Sequence, residues 1–122
     1  MFTWLSRLVA DFKEDEVSAA RPALNFELLQ REETAVVFNH SRSCPVSWAA
    51  NRQVRKFAAS HPTIPVYTVT IQDDRELSRR VAAWTAVRHE SPQVIILRHG
   101  KVVAAASHEA VTSDYLASAV RE

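Results

Sequence analysis

Four short runs rich in β-branched residues, Thr34–Phe38, Val66–Ile71, Gln93–Leu97 and Val102–Ala106, limit what this chain can fold into. Helix-length segments separate the first three, whereas only Arg98-His99-Gly100-Lys101 separates the last two. Strands separated by helices are expected to pair in parallel through right-handed crossovers, and the short link to close an antiparallel hairpin at the edge. Gly100, the only glycine, lies in that link, where a tight hairpin often needs positive φ. Between the runs the period changes to that of a helix. Val46, Ala50, Val54, Phe57 and Ala58 form one stripe behind Pro45, giving a helix over about Pro45–Ala59 that His61-Pro62 closes. Asp73 and Asp74 cap a second helix with Leu77, Val81 and Trp84 on its core face. Thr112 and Asp114 open a last one with Leu116, Ala119 and Val120 buried. Upstream, Ala23–Arg31 with Asn25 as N-cap reads as a short helix. Leu5, Leu8, Val9 and Phe12 predict an amphipathic helix in the first dozen residues, broken by the charged run Lys13–Glu16. The order is that of an α/β domain with a single sheet.

A length of 122 residues fits one domain, read as a variable N-terminal segment (1–33) and a core (34–122). Fifteen basic and 14 acidic residues nearly cancel, so neither nucleic acid nor an anionic membrane is expected as a partner. One cysteine cannot form an internal disulfide, which favours a reducing compartment. The N-terminus lacks the basic, apolar and small-residue regions of a secretory signal, and no apolar run reaches the length of a membrane span. The expected location is the cytoplasm. His61, His99 and His108 show no metal-ligand spacing and there is no second cysteine, so no metal is expected.

Cys44 falls between the first strand and the next helix, after the polar turn His40-Ser41-Arg42-Ser43 and directly before Pro45. A helix start offers free backbone N–H groups and the positive end of the helix dipole, both of which stabilise the reactive thiolate. Arg42 adds positive charge. His40 is either a group that tunes the thiolate or an ordinary turn histidine. The competing reading of Cys44 itself is a buried small hydrophobe. Ser47, one helical turn on, is either a hydrogen-bond donor to the sulfur or a plain helix-start serine. Trp48 neighbours Cys44 on the helix surface, away from the Val46–Val54 stripe, and marks a docking surface or packing against the N-terminal segment. Arg52 and Arg55 on that side read as a solvated face.

The segment Phe38-Asn39-His40-Ser41-Arg42-Ser43-Cys44-Pro45-Val46-Ser47 resembles the active-site signature of the YtxJ-like monothiol bacilliredoxins, within the thioredoxin-like superfamily. Val87-Arg88-His89-Glu90-Ser91-Pro92-Gln93-Val94 resembles a second block of that family. Gly100-Lys101-Val102-Val103, followed by Ala106-Ser107-His108, resembles a third, in matching order over residues 34 to 120. The chain departs from the family pattern at Asn39, where lysine is usual, and at Arg42-Ser43, where threonine-arginine is.

The resemblance implies a thioredoxin-like fold, a mixed four- to five-stranded sheet flanked by helices. It implies a cis Pro92 that packs against Cys44 and leaves the Ser91 backbone free to pair with a substrate chain, with His89 as a weaker candidate for substrate contact. Dithiol members of the superfamily carry a resolving cysteine where this chain has Ser47. A hydroxyl cannot resolve a mixed disulfide, so an outside thiol must release whatever Cys44 acquires. The implied activity is that of a monothiol thiol–disulfide oxidoreductase. Cys44 would remove bacillithiol, or a similar small thiol such as glutathione or coenzyme A, from S-thiolated client proteins, with no permanently bound cofactor. The alternative is a thioredoxin-like binding module that uses Trp48 and the Ser91-Pro92 edge, with Cys44 regulatory or idle.

Overall fold

A computed structural model describes residues 24–121; the amphipathic helix expected in the first dozen residues lies outside them. The elements are α1 (Phe26–Arg31), β1 (Ala35–His40), α2 (Pro45–Ser60), β2 (Val66–Thr70), α3 (Arg75–Thr85), β3 (Gln93–Arg98), β4 (Lys101–Ser107), a 3-10 turn (His108–Ala110) and α4 (Ser113–Ala119). The helix starts follow local chemistry. Asn25 Oδ1 accepts from the N–H groups of Glu27 and Leu28, Asp74 Oδ1 from Leu77 and Thr112 Oγ1 from Tyr115, each silencing donors that a helix start leaves over.

The four strands are ordered β2-β1-β3-β4. Side chains on β1 and β3 alternate between two cores, as the strand period requires. Val36, Phe38, Val94 and Ile96 pack with Ala50, Val54 and Phe57 of α2 and Leu116 and Ala119 of α4. Ala35, Val37, Ile95 and Leu97 pack on the other face with Leu29 of α1 and Val81 of α3. Trp84, expected in the core, is half-buried at the margin of this second cluster and tilts against Phe26 at 4.8 Å between ring centroids.

One expectation is corrected. β1 and β2 are parallel, but β3, also reached through a helix, runs antiparallel to β1. The register gives the reason. β2 ends with Thr70 beside His40, and β3 begins with Gln93 beside Asn39, so the connection through α3 starts and finishes at one end of the sheet. Ala86, at φ 60°, ends α3 in a left-handed cap, and the chain from there to Pro92 is long enough to return to that end. A crossover rule applies only where the connection changes ends. The same register makes His40 the last residue of β1 and not part of the turn before Cys44.

The hairpin between β3 and β4 has His99 at φ 50° and Gly100 at φ 80°, the sign pattern of a type I′ turn. A Cβ on Gly100 would lie 2.9 Å from Gln30 Cγ and 3.1 Å from Gln30 Cα, so this turn is also where the sheet meets α1. Gly100→Ala should therefore cost about 1–2 kcal/mol through the left-handed backbone alone. That corresponds to a melting temperature lower by roughly 3–10 °C. Thermal denaturation followed by circular dichroism measures this, and an unchanged or raised midpoint would show that the turn tolerates a side chain.

Candidate functional site

Four chain segments meet at the end of the sheet where β1 and β2 finish and β3 begins. They are the Ser41–Cys44 turn, the Ile71–Asp74 loop, the Arg88–Pro92 loop and the turn after β4. Cys44 is the N-cap residue of α2, partly buried, with extended backbone (φ −114°, ψ 118°) and no hydrogen bond from its side chain to the helix. Pro45 occupies the first helical position, and Trp48 N–H already donates to Cys44 O at 3.2 Å. The N–H groups of the first turn left without an intrahelical acceptor are therefore those of Val46 and Ser47. No acidic residue occupies that turn. The sulfur is thus presented at a helix start bare of negative charge.

The turn that carries Cys44 is held from several sides. Ser41 N–H donates to Ser47 Oγ at 3.2 Å, and Arg42 N–H to Gln72 Oε1 at 3.1 Å. Gln72 Nε2 donates to the hydroxyls of Ser41 (3.0 Å) and Ser43 (3.3 Å). Trp48 Nε1 donates to Arg42 O at 2.7 Å. The Arg42 guanidinium is 2.8 Å from Asp73, with both side chains more than half exposed.

These contacts bear on three of the sequence readings. Ser47 is fully buried and its hydroxyl accepts from the turn; no hydrogen bond joins it to the Cys44 sulfur. Arg42, expected to lend positive charge, is ion-paired to Asp73, a residue expected to act as a helix cap, while Asp74 alone caps α3. Trp48 is 53% exposed, so it does not pack away against other described segments, yet its indole N–H is committed to the turn.

The Ser91–Pro92 bond is cis and Pro92 is buried. The loop before it rests on a buried pair of amides. Asn39 Nδ2 donates to Gln93 Oε1 at 2.7 Å, and Gln93 Nε2 donates to Arg88 O at 2.8 Å. His89 Nε2 and Ser91 Oγ are 3.1 Å apart. From the other side, His108 N–H donates to Pro92 O at 2.9 Å, and His108 Nδ1 lies 3.4 Å from Glu90 Oε1. His108 holds a left-handed backbone (φ 57°) to do so. The register brings Cys44, Pro45, Ser47, Trp48, Arg42 and His40 to the same end as His89, Ser91 and Pro92. Sequence reasoning missed Gln72, Asn39 and Gln93. A polar Asn39 closing an apolar strand was a signal for a buried partner; nothing local pointed from Gln72 to a turn 30 residues away. Among the described residues no group of three or more His, Cys, Asp or Glu is placed to hold a metal, and no helix is long and apolar enough to cross a membrane.

Comparison with known proteins agrees with this geometry. Residues 22–116 match the family model described as monothiol bacilliredoxin BrxC. A solved structure provisionally described as an oxidoreductase with a thioredoxin fold is 31% identical, with a TM-score of 0.70 over 76% of this chain and 82% of that one. Thioredoxin from Trypanosoma brucei brucei superposes with a TM-score of 0.63 at 20% identity, covering 84% of this chain and 92% of that one. Chlamydomonas reinhardtii thioredoxin f2 does so with a TM-score of 0.61 at 15% identity, covering 79% and 85%. The last two carry the thioredoxin fold alone.

Gln72→Ala would remove the acceptor of the Arg42 N–H and the donor to two serine hydroxyls. Amide exchange at Arg42 should accelerate roughly five- to tenfold, the equivalent of about 1 kcal/mol for one hydrogen bond. Exchange in the buried part of β1, at Val37 for example, should stay as it is. Equal acceleration at both positions, or at neither, would mean that Gln72 does not hold the turn.

Proposed function

Because this chain belongs to the monothiol bacilliredoxin family, we propose that Cys44 is the nucleophile of a thiol–disulfide exchange that removes bacillithiol from client proteins. The Cys44 thiolate attacks the small-thiol sulfur of the mixed disulfide. The client sulfur leaves as a thiolate, and one disulfide replaces another with no net electron transfer. A second small-thiol thiolate then attacks the Cys44 adduct, forms the small-thiol disulfide and restores free Cys44. No cofactor stays bound. Clients would approach over the exposed Trp48 and the Ser91–Pro92 edge.

The observation that carries this reading is the pairing of Cys44 with Ser47. The sole cysteine caps α2, and the position one turn later holds a buried serine whose oxygen is engaged by Ser41 N–H. An adduct on Cys44 has no internal sulfur to leave by. A reactive helix-start cysteine without a partner is the arrangement an exchange with small thiols uses.

Incubation with a bacillithiolated client should transfer the mass of one bacillithiol to Cys44 and free the client thiol, as read by intact-protein mass spectrometry. Reduced bacillithiol should then discharge the adduct at a rate that rises with its concentration. Cys44→Ser should reduce transfer to background while leaving the melting temperature near that of the wild type. Equal deprotection of the client by Cys44→Ser would end the enzyme reading.

Ser47→Cys recreates a Cys-Pro-Val-Cys pair one turn apart. In that variant the adduct should decay without added thiol and leave an internal disulfide, a mass loss of two hydrogens. An adduct as long-lived as that of the wild type would mean that positions 44 and 47 do not face each other.

A further inference from the structure

A groove of about 450 Å³ runs along the first turns of α3, lined by Ile71, Arg75, Ser78, Arg79, Ala82 and His89. Two polar atoms of its lining residues, Ser78 Oγ and His89 Nδ1, are buried with no hydrogen-bond partner among the described residues. Ser78 is only 4% exposed. A hydroxyl inside a helix ordinarily bonds the carbonyl of the preceding turn. Ser60 does so with Lys56 O, and Thr85 with Val81 O. Ser78 does not, and its buried oxygen is left without a partner among the described residues, an arrangement that folding disfavours.

The lining is biased towards donors. His89 Nε2 and Ser91 Oγ share a hydrogen bond, which leaves Nδ1 as the ring nitrogen with no partner among the described residues. Arg79 is engaged by Glu76 at 2.7 Å, in a pair whose side chains are about 70% exposed. Arg75 makes no ion pair with another described residue. Among the described residues no carboxylate lines the groove. A guanidinium with no ion pair among the described residues, a hydroxyl and an imidazole beside the apolar Ile71 and Ala82 suit a carboxylate attached to a short organic body.

The groove is walled by segments that frame Cys44. Ile71 N–H donates to the carbonyl of His40, the residue that leads into the Cys44 turn. Arg75 follows the Gln72–Asp74 loop that bonds this turn, and His89 belongs to the loop that ends in the cis Ser91–Pro92 bond.

We propose that this groove is a binding subsite for a carboxylate-bearing small thiol, with Arg75, Ser78 and His89 taking the carboxylate of the thiol that exchanges at Cys44. The assignment rests on the exchange reading above and adds the chemical class the site selects.

Two measurements separate the two ideas. In the first, Cys44→Ser protein is titrated with S-methylglutathione, which carries carboxylates but cannot exchange, and amide shifts are followed by NMR. Shifts should concentrate on Arg75–Ala82 and His89. They should weaken at least fivefold with the diethyl ester of the same probe or with Arg75→Ala. Shifts elsewhere, or equal binding of the ester, overturn the subsite. In the second, protein with Cys44 intact reacts with oxidised glutathione or with uncharged 2-hydroxyethyl disulfide. Arg75→Ala should slow the first reaction about tenfold and Ser78→Ala about threefold, with the second reaction unchanged. Parallel loss with both disulfides, or loss with neither, also overturns the subsite while leaving Cys44 exchange intact. Probe binding in the groove, with no exchange at Cys44 by either disulfide or by a bacillithiolated client, supports a carboxylate subsite and removes the exchange reading.

Discussion

The antiparallel pairing of β1 with β3 sets Asn39 opposite Gln93, and the site hangs from that register. Both strands are buried on both faces. Ala35 to Phe38 and Val94 to Leu97 are all at most 1% exposed. A slip of one residue would exchange Val36 and Phe38 with Ala35 and Val37 between two differently shaped cores, and would draw Asn39 away from its amide partner. The cost of each misfit core side chain is on the order of 1–3 kcal/mol, so the register is fixed many times over. Two segments with no direct contact in sequence, the Cys44 turn and the loop carrying the cis proline, are thereby delivered to one end of the sheet.

Local contacts then decide how the sulfur is held. The Arg42–Asp73 pair is the most visible of them, but an exposed ion pair of this kind contributes about 0–1 kcal/mol and fades with salt. Gln72 contributes one acceptor and two donors to the same turn, and Trp48 and Ser47 contribute one bond each. Spread over these bonds, at about 1 kcal/mol apiece, the neutral network outweighs the charges. Trp48 therefore serves the turn through its indole N–H while the residue as a whole stays exposed. Docking and holding are not competing roles for it.

The sequence carried the elements well because their signals were local. The β-branched runs, the helical stripes, Asn25, Asp74 and Thr112 as caps and Gly100 in the hairpin each depend on neighbours a few residues away. The direction of β3 was not local. It depends on where the chain from Ala86 to Pro92 ends, and a helix between two strands does not reveal that. The site divided along the same line. Cys44, Pro45 and Ser47 were legible from spacing along one helix, and the cis proline from a motif shared with a family. The Gln72 bonds and the Asn39–Gln93 amide pair were not, because each joins residues 29 to 54 positions apart. Arg42 was read for its charge, and the structure spends that charge on Asp73.

Ser47 links the chemistry to this framework. A serine oxygen is a good acceptor for the Ser41 N–H, whereas a thiol sulfur in its place would be a weak one. The residue that denies Cys44 an internal exit is thus also the one that anchors the start of its turn from inside the fold, at 0% exposure. On the proposed exchange, losing the internal exit moves the burden of resolution to a molecule from solution, and the rate then depends on how well that molecule is bound near the sulfur. A dithiol site can release its adduct whatever small thiol is present. A monothiol site needs a place for one. Ser78 and His89, each with a buried polar atom that has no partner among the described residues, line a groove at this end of the sheet that offers one.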